Sequence, residues 1–102
     1  MAREIAPWVA ELTKAVRPTT RMDAATALAE GRYGWRDEVK TYLVTAATSD
    51  PAAIVRAHCI SLLTRLGYAS PEYKEFLSTC TSERNTDVRV AAVIALARLE
   101  PR

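Results

Sequence analysis

His58 and Cys59 are the residues of this chain that most suggest a reaction. They are its single histidine and one of its two cysteines, set side by side two positions after Arg56. A thiol beside an imidazole is the pairing of a nucleophile with its general base, but the pair works only when the two side chains come within hydrogen-bond reach. Neighbours on a helix point about 100° apart, and residues 51–66 read as a helix. Other chemistry is sparse. Asp37-Glu38 and Glu72-x-x-Glu75 are acidic pairs, but they fall in first helical turns, where the helix dipole favours anions. There is no C-x-x-C, Ser-His-Asp set, P-loop or G-x-G-x-x-G, so the chain is read as non-enzymatic, with no catalytic residue, cofactor or metal expected.

The elements that carry these residues are helices. Pro7, Pro51 and Pro71 stand where first-turn prolines would, the last two after Asp50 and Ser70 as N-cap candidates. Gly31, Gly34 and Gly67 follow apolar-periodic stretches, as helix stops do. Six helices are predicted, over roughly 5–16, 19–31, 36–48, 51–66, 71–81 and 85–99, with no sheet.

They repeat in pairs. A shift of 33 aligns residues 37–66 with 70–99, and seven of the thirty pairs are identical, among them Val55/Val88, Arg56/Arg89, Leu63/Leu96 and Arg65/Arg98. A fainter copy lies upstream at a shift of 35, where Arg21 and Leu28 match Arg56 and Leu63. The second helix of each pair carries one apolar stripe: Thr20, Ala24, Ala27, Leu28, Gly31; Val55, Cys59, Leu62, Leu63, Leu66; Val88, Ala92, Ala95, Leu96, Leu99. In the first helices Trp8, Leu43 and Phe76 share one buried register. One pair cannot bury such a stripe alone, so the pairs must stack. The alignment also disposes of the reaction centre. Cys59 stands where the other copies have Ala24 and Ala92, and Cys80 where one has Ala47, so both are read as small buried hydrophobes with free thiols. His58 stands at Asp23 and Ala91, on the border of the stripe, as a half-buried filler.

The motif D-P-A-A-I-V-R-x6-L-x2-L at 50–66, with E-R-N-T-D-V-R-x6-L-x2-L at 83–99, resembles HEAT repeats, in particular the short bacterial HEAT-like type shared by phycobilisome lyases. The resemblance implies an all-α, right-handed solenoid of three helix pairs in one domain, 1–102, with repeats at roughly 5–33, 35–67 and 70–100. It also implies a structural ladder between neighbouring repeats, built from an acidic residue in the inter-helix turn and an early arginine in the second helix. The matching positions are Asp50, Arg56, Glu83 and Arg89. In the first repeat Arg21 matches, but Ala15 occupies the acidic position.

In such solenoids the second helices line the concave face, where a partner would bind. Here they carry a net +4, against −1 on the first helices, although the whole chain is only +2. Opposite the stripe lie uncharged, mostly small side chains, the last row fully apolar: Met22, Thr26, Ala29; Ala57, Ser61, Thr64; Val90, Ile94, Ala97. The expectation is a non-catalytic protein-binding scaffold that uses Met22, Ala57, Ser61, Arg65, Val90, Ile94, Ala97 and Arg98. The apolar row at the C-terminal edge suits self-association or further repeats. The alternative is nucleic acid or another polyanion on the Arg-bearing helices.

Bulk properties agree with one globular domain: 102 residues, 49% hydrophobic and 25% charged. MAREIAPWVAELTKAV lacks the apolar core of a secretory signal, and no uncharged run could span a bilayer. No membrane partner is expected, and free thiols fit a cytoplasmic location.

Overall fold

A computed structural model describes residues 3–99. Residues 1, 2 and 100–102 of the expected domain, including the last position of the third repeat, lie outside the described residues. The described chain is all-helical: α1 (Ala6–Lys14), α2 (Pro18–Glu30), α3 (Asp37–Ser49), α4 (Ala53–Arg65), α5 (Pro71–Cys80) and α6 (Thr86–Leu99). All six begin and end within two residues of the predicted spans.

Local chemistry sets the ends. Ser70 accepts the Tyr73 N–H at 3.1 Å while Pro71 opens α5, and Asn85 Oδ1 accepts the Val88 N–H at 3.1 Å to open α6. Gly67 takes φ +70°, which lets the N–H groups of Gly67 and Tyr68 close on the carbonyls of Thr64 and Leu63 and stop α4. Gly34 is needed for space, since a Cβ there would lie 2.1 Å from the Ala29 carbonyl oxygen. One expected cap is different. Asp50 ends α3, and its carboxylate accepts the Ala52 N–H at 2.9 Å, so Pro51 lies in a side-chain-closed turn and α4 starts only at Ala53.

The helices pack as consecutive pairs, α1 on α2, α3 on α4 and α5 on α6, and the pairs meet chiefly through α2–α4 and α4–α6. The molecule measures 38 × 27 × 18 Å, and its short dimension is about two helix diameters. Leu28, Val39, Leu43, Val55, Cys59, Ile60, Leu63, Leu77 and Val88 form the fully buried centre.

Three expectations about burial need correction. Trp8 is 42% exposed although its aligned partner Leu43 is fully buried, because α1 is the outermost described helix and nothing described covers that register. Gly31 is exposed, since α2 stops one residue earlier. Ala29 and Ala57, placed on the open face, are buried, because α4 is flanked by α2 on one side and α6 on the other.

Candidate functional site

Between α4 and α6 runs an open furrow. Its main depression, of about 340 Å³, has Ala57 and Ala91 as its buried floor and Ile54, Val90 and Ile94 as half-exposed walls, with Met22 of α2 on the far side. A second depression of about 140 Å³ shares Ser61, Ala91 and Ile94 with the first and is bounded by Thr64, Arg65 and Arg98. Asp87 closes one end of the furrow, and Arg98 closes the other beside an Arg65 already paired with Glu30, so its ends carry opposite charge across an uncharged middle. From Asp87 to Arg98 the furrow follows about 16 Å of α6, or three helical turns.

The structure thus gathers seven of the eight residues expected to bind a partner: Met22, Ala57, Ser61, Arg65, Val90, Ile94 and Arg98. Ala97 is exposed but lines neither depression. Ile54, His58, Asp87 and Ala91 were missed. Ile54 is 48% exposed, and its place in the D-P-A-A-I-V-R motif, one residue before the buried Val55, was the signal available. Outside the furrow, the turn between α2 and α3 exposes Trp35, with the Arg36 guanidinium 4.7 Å from the Tyr33 ring centroid.

His58 and Cys59 diverge as helix geometry requires. His58 Nε2 lies 2.6 Å from the Thr26 hydroxyl, bridging α4 to α2. Cys59 is fully buried, and burial pushes its thiol pKa up to about 12, so it is a protonated hydrophobe with no thiolate character. Cys80 is also buried and free, with its pKa raised by the same cause. Among the described residues no cluster of three or more His, Cys, Asp or Glu could hold a metal ion.

Burial first, and then the positive charge of Arg65, lower the His58 pKa, with Asp23 and Glu30 opposing. A histidine that protonates less readily folded than unfolded favours the native state above its unfolded pKa, and that contribution is lost as pH falls through the folded value. Urea midpoints are therefore expected to drop as pH is lowered from 7 through about 6.5. His58→Gln, which keeps a group able to meet Thr26, should flatten that part of the profile.

Three arginines of the second helices have carboxylate partners. Arg21 meets Asp50 through Nε–Oδ2 at 2.8 Å and Nη2–Oδ1 at 3.0 Å, and its Nη1 donates to the Ala15 and Val16 carbonyls at 2.9 and 3.0 Å. That carboxylate holds the Arg21 guanidinium more firmly protonated than usual. Arg56 lies 3.5 Å from Glu83 and donates to the Asp50 carbonyl at 2.8 Å. Arg65 pairs with Glu30 at 2.8 Å on the surface. Asp50, Arg56 and Glu83 thus lie in one line of polar contacts, with Arg21, the first-repeat match, making its most buried pair, whereas Arg89 reaches Glu83 only through its backbone carbonyl, at 3.0 Å.

No protein-family model matches this chain, and no curated protein and no solved structure does. Among the described residues no helix is long and apolar enough to cross a membrane.

Proposed function

We propose that the chain is a non-catalytic scaffold, a right-handed solenoid of three HEAT-like helix pairs that binds a partner protein along the α4–α6 furrow. The observation that carries this reading is the furrow itself: an uncharged trough about three turns long, with three large apolar side chains about half exposed and Asp87 and Arg98 at opposite ends. A partner helix laid in it would cover Ile54, Val90 and Ile94, and its ends would meet charges that fix its direction. Supporting the solenoid are the pairwise packing, the α2–α4–α6 contacts and the Arg–carboxylate pairs that bridge successive helix pairs. The Cys59 thiol, protonated and sealed in the core, supports a non-catalytic role.

A polyanion on the same helices has less behind it, because Arg21, Arg56 and Arg65 already have carboxylate partners. A salt titration separates the readings, since polyanion binding weakens steeply with ionic strength and an apolar furrow responds little. The direct test is Ile94→Lys. Full burial of such a side chain is worth about 1.5 to 3 kcal/mol; Ile94 is 49% exposed, so about half of that remains to be gained, and affinity for a partner isolated with the wild-type protein should fall about fivefold or more, with helicity unchanged by circular dichroism. A partner that binds the variant equally well does not use the furrow.

A further inference from the structure

Two of the three helix pairs are closed by the pair that follows them, each time in the same way. Arg21 of α2 reaches Asp50 at the end of α3, and Arg56 of α4 reaches Glu83 in the turn after α5. One helical turn along, on the same faces, Ala25 and Ile60 are both 0% exposed. The corresponding residues of α6 are Arg89 and Val93. Val93 is 52% exposed. Arg89 has no carboxylate partner among the described residues, yet its guanidinium is held in the same posture as the others. Its Nη1 donates to the Glu83 carbonyl at 3.0 Å, as Arg56 Nη1 does to Asp50 at 2.8 Å and Arg21 Nη1 to Ala15 at 2.9 Å. Neither Arg89 nor Val93 lines the furrow, so this edge is a separate surface.

We propose that the Arg89–Val93 edge of α6 docks an α-helical hairpin of a partner protein that carries an aspartate or glutamate in the turn between its helices. The carboxylate closes on Arg89 and the hairpin's apolar face covers Val93. The two closures already made define this occupant, since each supplies its carboxylate from the end of a first helix or the turn after it. A second copy of this chain lacks that group. Its equivalent turn residue is Ala15, whose backbone (φ −62°, ψ 140°) matches that of Asp50 (φ −63°, ψ 136°) without the carboxylate. Head-to-tail stacking would bury the Arg89 guanidinium without a counter-charge, which is strongly unfavourable.

The backbone match supplies the probe. Ala15→Asp places the missing carboxylate on the protein's own first turn, and Ala15→Glu imitates the Glu83 contact if the aspartate variant does not fold. Sedimentation velocity should find the wild type monomeric at micromolar concentration. The Ala15→Asp protein should associate head to tail at least about tenfold more tightly, and should return to wild-type behaviour when Arg89→Gln or Val93→Lys is added. Wild-type chains that already assemble through Arg89 and Val93 would make a second copy the occupant and overturn the proposal. So would folded Ala15 variants that associate no better than wild type, or an assembly indifferent to Arg89→Gln.

Discussion

Asp50→Ala is expected to destabilise the fold by about 3 to 5 kcal/mol, the cost of removing one partner from a buried ion pair. The Arg21 and Asp50 side chains are only 10% and 5% exposed. The guanidinium is held in a two-pronged contact with Asp50 and also donates to the end of α1. Without the carboxylate that cation stays buried, and the turn loses the acceptor for the Ala52 N–H. Since small domains are stable by about 5 to 15 kcal/mol, the urea midpoint should fall steeply. Two controls identify the cause. Arg21→Met added to Asp50→Ala should recover much of the loss, because it removes the stranded charge. Glu83→Ala should cost under about 1 kcal/mol, since Arg56 and Glu83 are 23% and 40% exposed and solvent screens them. Equal losses for Asp50→Ala and Glu83→Ala would mean that burial does not set the strength of these pairs.

Leu63→Ala is expected to cost about 2 to 5 kcal/mol, as truncations of fully buried leucines do. Leu63 is 0% exposed, inside the middle helix pair. The same truncation at Leu96, the aligned residue of α6, should cost clearly less, because Leu96 is only partly buried at the margin of the core. Leu28, 2% exposed on α2, should behave like Leu63. Denaturant melts of the three variants therefore measure how completely each helix pair is enclosed. Equal costs at Leu63 and Leu96 would mean that the α6 edge is covered in solution.

Helix positions were legible because the punctuation is chemical and local. Ser70-Pro71 and Gly67 act within a few residues of themselves, so a sequence shows both the signal and its effect. Asp50-Pro51 carries the same signal with another outcome, because the Asp50 side chain closes a turn onto Ala52 and takes a distant arginine as well. Periodicity served for α6, whose covered and open faces differ, but less well for α4. That helix buries Val55, Ala57, Cys59, Ile60, Leu62 and Leu63 around most of its circumference, so a single-stripe reading assigned Ala57 to the open face and passed over Ile60. The furrow was readable in outline from the row of small residues between the arginines. Its wall residue Ile54 was not, because only the approach of α4 to α6 turns that side chain into part of a trough. Trp8 shows the limit of alignment: it repeats the type of Leu43, but burial depends on what lies next door.

The central position of α4 also bears on how quickly and in what order the chain folds. Contacts are concentrated within successive helix pairs and between neighbouring ones, so little loop closure precedes each favourable contact and folding should be fast for a chain of this length. Amide hydrogen exchange should be slowest at the heart of α4, the helix enclosed from both sides, and fastest in α1 and along the outer edge of α6. The chain would then open from its two ends while the α3–α4 pair is still formed.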